Sequence, residues 1–299
     1  MKTAAKTALD GIFLPLTTPF EGDALLLDEF TENIRMYESF EPTGYLVPGT
    51  TGESVSLSDE EAVLLIETAR ATSPDRTLIA GASRESTRDT VEACKAAADA
   101  GADAVLVRPP VFFRSALDTA ALDCFYRHVA DGSPVPVLLY NIPSHSGTVL
   151  DGGLVLSLLR HPNVAGVKDS SGSLTLLGEV APDLESRHTF LMGAGSVLLP
   201  GLLLGARGGI LALADAAPAQ CIALYNLYRD GRLEEALGLQ RGLTALDKAI
   251  TRTYGIAGLK HALDLLGFHG GPPREPLLPL NDAGRADLAV LLRKLGLLR

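Results

Sequence analysis

At 299 residues, 46% of them hydrophobic, the chain can bury a large core, and its net charge of −10 argues against nucleic acid or an anionic membrane as the main partner. No apolar run approaches the roughly 20 residues a membrane span needs, and residues 1–10 carry no signal-peptide core. Cys94, Cys124 and Cys221 lie far apart, offer no disulfide framework and fit a reducing cytosol, so a soluble cytoplasmic protein is expected.

Apolar, β-compatible runs recur along the chain at Ile12–Leu16, Gly44–Val47, Thr77–Ala80, Ala104–Val107, Val135–Tyr140, Val164–Lys168, Thr189–Met192 and Gly209–Leu213. Longer stretches with helical periodicity separate them. From Ser58 to Ala71, Val63, Leu64 and Ile66 with Glu67 form an apolar stripe opposite Asp59, Glu60 and Glu61, and Ser58 with Glu61 reads as a capping box. Ser86 to Ala100 starts in the same way and ends at Gly101, a C′ glycine.

Strands that are apolar on both faces and alternate with helices imply a parallel sheet with right-handed crossovers. Eight such units over residues 1–230 predict an α/β fold, a closed (β/α)8 TIM barrel. An open doubly wound sheet would carry a glycine fingerprint after its first strand, and Pro15-Leu16-Thr17-Thr18-Pro19 is nothing like one. Beyond Tyr228 the strands stop. Leu233–Ile250, Ile256–Leu266 and Ala283–Leu298 read as helices, the last two parted by the Gly/Pro cluster at 267–273. Residues 231–299 are therefore read as a C-terminal helical appendage, an oligomerisation or lid element.

Barrel chemistry sits at the C-terminal ends of the strands. The sixth run ends in Lys168, one of seven lysines, at the mouth of a buried strand where an ammonium is costly. Such a lysine either snorkels to solvent or serves as a neutral nucleophile toward a carbonyl. The second run ends in Pro48-Gly49-Thr50-Thr51-Gly52-Glu53. Its glycines and hydroxyls could form a nest for a carboxylate or an ordinary βα turn. Tyr140 ends the fifth run, placed to relay a proton or simply to fill a barrel layer. Gly193-Ala194-Gly195 leaves room after the seventh, and the region around Ile210 supplies an apolar wall. The six histidines show no ligand spacing and no carboxylate cluster accompanies them, so no metal is expected.

Gly49-Thr50-Thr51-Gly52-Glu53, Tyr140-Asn141-Ile142-Pro143 and Gly166-Val167-Lys168-Asp169, with the opening Pro15-Leu16-Thr17-Thr18-Pro19-Phe20, resemble the signatures of the dihydrodipicolinate synthase / N-acetylneuraminate lyase family. The resemblance covers nearly the whole chain. It implies a cofactor-free class I aldolase or lyase, a homo-oligomer (tetramer or dimer) acting on a 2-oxo acid, with pyruvate as substrate or product, and an aldehyde. By matched motif, Lys168 would form the imine with C2 of the 2-oxo acid. Thr50 and Thr51 would bind its carboxylate, and Tyr140 would shuttle protons together with Thr51. The Gly193 carbonyl and Ile210 would line the pocket. The stretch Ala249 to Lys260 and the run Gly267-Phe268-His269-Gly270-Gly271-Pro272 look like 4-hydroxy-2-oxoglutarate aldolase, which makes Ser170 a candidate for the distal carboxylate. His145 stands where dihydrodipicolinate synthases typically carry an arginine for the aldehyde's carboxylate. Phe112 and Phe113 stand where those enzymes carry a tyrosine pair, and a phenyl ring cannot relay a proton. That synthase reaction, condensation of pyruvate with aspartate semialdehyde, is the alternative.

Overall fold

The computed structural model describes residues 9–298. The barrel strands are β1 (Gly11–Leu14), β2 (Gly44–Leu46), β3 (Thr77–Gly81), β4 (Ala104–Val107), β5 (Val137–Asn141), β6 (Val164–Asp169), β7 (Thr189–Met192) and β8 (Gly208–Ile210). Each runs parallel to the next, and β8 returns to β1, closing a (β/α)8 barrel.

Alternation along each strand divides the side chains between two apolar environments. Phe13, Leu46, Ile79, Leu106, Leu138, Leu191 and Ile210 fill the barrel interior. Their neighbours Ile12, Leu14, Tyr45, Leu78, Val105, Val137 and Leu139 point outward under the helices. Between β5 and β6 the register slips by one residue. Val137 faces Val164, whereas Leu138 already faces Gly166.

The principal barrel helices are α1 (Leu27–Glu38), α2 (Asp59–Thr72), α3 (Thr87–Asp99), α4 (Thr119–Gly132), α5 (Pro143–Ser146), α6 (Gly152–Leu159), α7 (Thr175–Val180), α8 (Leu198–Leu204), α9 (Ala212–Ala216) and α10 (Pro218–Arg229). The capping box at Ser58 and Glu61 is formed, and Ser86 caps α3 through the Asp89 N–H. The apolar face of α2 differs from the sequence reading. Ala62, Leu65, Ile66 and Ala69 are its buried residues, at the i, i+3, i+4, i+7 spacing, while Leu64 is 40% exposed.

Strand limits shift where a turn competes with apolar content. The fifth run loses Val135 and Pro136 and gains Asn141; the eighth stops at Ile210, because Leu211 turns into α9. A small antiparallel pair, Phe20–Glu21 with Ala24–Leu25, follows β1 as a separate two-stranded sheet. Its strands are too short to show alternation in sequence.

The C-terminal helices α11 (Leu233–Lys248), α12 (Gly255–Leu265) and α13 (Asp282–Lys294) follow, with one π-helical turn, Ala249–Thr253, between α11 and α12. They are bonded to the barrel rather than merely resting on it. Asp247 accepts from the Gly195 and Ser196 N–H groups at 3.1 and 2.9 Å. Gln240 accepts from the Leu199 N–H at 2.8 Å and donates to the Gly195 carbonyl at 2.9 Å. Among the described residues no helix is long and apolar enough to cross a membrane.

Candidate active site

Parallel pairing of β5 with β6 sets Tyr140 level with Lys168, and Asn141 level with Asp169. Tyr140 continues the inward alternation of Leu138, and Lys168 is its partner across the pair while its neighbour Val167 packs outward. Lys168 is 4% exposed and Tyr140 is 6% exposed. The Lys168 Nζ lies 4.4 Å from the centroid of the Tyr140 ring.

Two hydroxyls flank the Tyr140 phenol. Thr50 Oγ1, from the loop after β2, is 3.5 Å from it, and Ser170 Oγ, two residues past Lys168, is also at 3.5 Å. These are long contacts of the kind that tighten when a reacting molecule is bound. Thr51 follows Thr50 and is buried. Gly193, just past β7, donates its N–H to the Asp169 carbonyl at 2.6 Å, and a Cβ at this position would run into Ser170 Oγ. Ile210 sits in the interior layer. The structure therefore brings Lys168, Tyr140, Thr50 and Ser170 into one cluster, with Thr51, Gly193 and Ile210 around it.

The His145 ring is hydrogen-bonded to Ser144 and not to any member of this cluster. It lies exposed on α5, its Nδ1 2.9 Å from Ser144 Oγ. Partial desolvation lowers its pKa from the usual 6.5, which keeps the imidazole neutral at neutral pH. A neutral ring is a weak anchor for a carboxylate.

Four neighbours escaped the sequence reading. Asn141 and Asp169 cross-brace the strand ends that carry Tyr140 and Lys168. Asn141 Nδ2 donates to Asp169 Oδ1 at 2.8 Å, and Asn141 Oδ1 accepts from the Leu150 N–H at 3.1 Å. Asp169 also accepts from the Ser171 N–H and hydroxyl at 3.0 and 2.9 Å; burial raises its pKa, and these bonds oppose the rise. Their position next to Tyr140 and Lys168 in the motifs was the available signal. Arg252, on the π-helical turn, reaches the loop after β6. A Cβ built on Gly172 would fall 2.6 Å from its Nη2. Arg114 lies against Gly147 in the loop after β5. The two exposed guanidiniums thus approach the loops that follow Lys168 and Tyr140.

A fifth group lies deeper. Asp215, on α9 after β8, is wholly buried, and neither of its carboxyl oxygens has a hydrogen-bond partner among the described residues. Desolvation pushes its pKa well above 3.8, and the charge of Lys168 pulls in the other direction. Among the described residues no three His, Cys, Asp or Glu side chains converge as a group able to hold a metal ion.

The chain as a whole is similar to known proteins. The Dihydrodipicolinate synthetase family matches residues 8–295. A 4-hydroxy-tetrahydrodipicolinate synthase of Methanothrix thermoacetophila is 33% identical over 288 residues, covering 96% of this chain and 97% of the relative. An L-threo-3-deoxy-hexylosonate aldolase of Hypocrea jecorina is 32% identical over 289 residues, covering 91% of each. The crystal structure of dihydrodipicolinate synthase from Aquifex aeolicus superposes with a TM-score of 0.91 at 26% identity, covering 96% of this chain and 98% of that one. The chain belongs to the dihydrodipicolinate synthetase family and is an enzyme of that family of lyases and aldolases.

Proposed function

We propose that this enzyme makes or breaks a carbon–carbon bond at C3 of a 2-oxo acid through an imine on Lys168. The observation that carries the reading is the buried Lys168 amine standing 4.4 Å from the Tyr140 ring, whose hydroxyl is bracketed by Thr50 and Ser170.

The chemistry follows from those positions. Once it has given up a proton, the Nζ adds to the C2 ketone, and loss of water from the carbinolamine leaves a protonated imine. Tyr140 passes protons to and from the departing oxygen, with the Thr50 hydroxyl beside it. The donors around Thr50 and Thr51 hold the acid's carboxylate. In the cleavage direction, the hydroxyl on C4 loses its proton to Tyr140 and the C3–C4 bond breaks. Its electron pair moves into the imine, giving an enamine and a free aldehyde. Protonation at C3 and hydrolysis of the imine then release pyruvate and restore the lysine. Condensation runs the same steps backwards.

The leading substrate is 4-hydroxy-2-oxoglutarate, cleaved to pyruvate and glyoxylate. The Ala249 to Lys260 stretch supports this choice, as does the placement of Arg252 and Ser170 beside the Lys168 loop, suited to a second carboxylate. The second reading is condensation of pyruvate with aspartate semialdehyde. It is favoured by the name of the Methanothrix relative, and the exposed Phe112–Phe113 pair, in place of tyrosines, weighs against it. The test begins with borohydride and pyruvate. Reduction should add a pyruvyl mass to Lys168, and a folded protein that takes up no adduct sinks the imine. Glyoxylate release from 4-hydroxy-2-oxoglutarate is then compared with semialdehyde condensation. Faster turnover in the second assay reverses the choice of substrate.

A further inference from the structure

The loop carrying Thr50 and Thr51 is held in place by a buried ion pair that reaches it from the C-terminal region. Lys260, on α12, is 0% exposed, and its Nζ is 2.7 Å from Glu53 Oε1, which is itself buried. The same ammonium donates to the Thr18 and Pro272 carbonyls, each at 2.8 Å. All three donor positions of one lysine are thus used, on three separated segments of the chain. The other carboxylate oxygen of Glu53, Oε2, accepts from the Arg274 N–H at 2.8 Å. The Arg274 guanidinium grips both oxygens of Glu61 at 2.8 and 2.7 Å. Phe20 is packed by both cations, the Lys260 ammonium at 4.6 Å and the Arg274 guanidinium at 4.3 Å from its ring centroid.

Such a pair is a poor device for stability alone, since desolvating two charges offsets most of their attraction. Burial in fact lowers the Lys260 pKa, with Glu53 opposing the fall. What the pair fixes is local. Glu53 has φ 58°, a left-handed conformation in which a residue with a β-carbon is strained. It ends the turn that begins at Thr50, whose carbonyl accepts the Glu53 N–H at 3.1 Å. The Gly52 carbonyl is turned toward the Thr18 hydroxyl, 2.8 Å away, on the segment whose backbone Lys260 also holds.

We infer that Lys260 and Glu53 are positioning residues that set the Thr50–Thr51 turn for binding the 2-oxo acid's carboxylate, so that the C-terminal helices complete the substrate site. This rests on the imine reading above, and the experiment separates the two. Wild-type protein is titrated with pyruvate, and the imine is trapped with borohydride and read by mass. No adduct on folded wild-type protein overturns the imine reading and this inference with it.

With trapping established, the double variant Glu53→Gln/Lys260→Met is compared. It removes both charges, so neither is left buried without a partner. The half-saturating pyruvate concentration should rise about tenfold or more, with near wild-type labelling at saturation. A folded double variant with unchanged half-saturation shows a merely structural pair and overturns the inference while the imine reading stands. If the double variant does not fold, Thr18→Val decides. It removes the other clamp on the turn and leaves the ion pair intact, and it should raise half-saturation by about threefold. A folded Thr18→Val protein with wild-type half-saturation then overturns the inference.

Discussion

Tyr140 and Lys168 occupy the same level of adjacent parallel strands, and the lysine's amine lies over the tyrosine's ring rather than beside its hydroxyl. The phenol is left free to face Thr50 and Ser170. Lys168 and Tyr140, proposed as nucleophile and proton carrier, are thereby fixed by sheet pairing, while the groups around the phenol come from loops. Removal of either strand residue should consequently have a different signature. Lys168→Ala should abolish the borohydride-trapped adduct. Tyr140→Phe should still be labelled, slowly, with turnover reduced by about 100-fold or more. Labelling of Lys168→Ala at another site, or normal turnover of Tyr140→Phe, contradicts these assignments.

Gly193 predicts a steric effect. A methyl group here meets Ser170 Oγ, which would be driven toward Tyr140. Gly193→Ala should fold with little change in Tm yet lose about 100-fold in kcat/KM, because small displacements near reacting atoms are costly. Activity within a factor of about two of wild type would mean that the loop relaxes without disturbing Ser170.

Arg252 can be distinguished from His145 by kinetics. A guanidinium stays charged at every working pH, whereas the depressed pKa of His145 leaves it neutral. Arg252→Gln should raise KM for an anionic aldehyde by about tenfold, the worth of one charged hydrogen bond, and leave pyruvate trapping unchanged. His145→Ala should have the smaller effect on the same KM. The reverse order would return the anion-binding role to the histidine.

Asp215 makes stability depend on pH in a stated direction. Its folded pKa lies above 3.8, so between 3.8 and the folded value the native protein binds more protons than the unfolded chain. Stability therefore falls as pH rises through that window, and the full penalty applies above it. Asp215→Asn should flatten this slope, and its advantage over wild type should grow by about 1.4 kcal/mol for each unit by which the pKa is raised. Urea midpoints measured from acid to neutral pH test this; parallel curves for the two proteins would show that the carboxyl has found a partner.

His188 works in the opposite sense. Its Nε2–H donates to the Leu159 carbonyl at 2.9 Å and its Nδ1 accepts from the Glu185 N–H at 3.3 Å, an arrangement only the neutral ring allows. Burial lowers its pKa, so the stability it contributes is present above 6.5 and is lost as pH falls through the folded value. His188→Gln should reduce the drop in Tm between neutral and mildly acidic pH, and an unchanged drop would assign it to other groups.

The barrel was legible because eight apolar runs of strand length have to be covered on both sides, and only helices between them can do that. Lys168 and Tyr140 were legible because chemistry-bearing residues at the ends of apolar strands stand out. Lys260 was not. In sequence it is one polar residue of an amphipathic helix, and its partner Glu53 lies 207 positions away. Arg252 was hidden by a different effect. The stretch Leu233–Ile250 reads as one regular helix running toward a break, whereas the π-helical turn at its end rotates the following side chains. The buried face of α2 is hard to read because two of its four buried residues, Ala62 and Ala69, are alanines, which are weak hydrophobic signals.

The slipped register between β5 and β6 has an unexpected reach. One residue, Ala165, absorbs the slip, and every side chain downstream on β6 owes its in-or-out assignment to it. Deleting or adding a single codon there would swing the amine of Lys168 into the greasy layer beneath the helices and bring a valine or an aspartate into the mouth instead. The level pairing of Lys168 with Tyr140 thus depends on an odd-or-even count made at the far end of one strand.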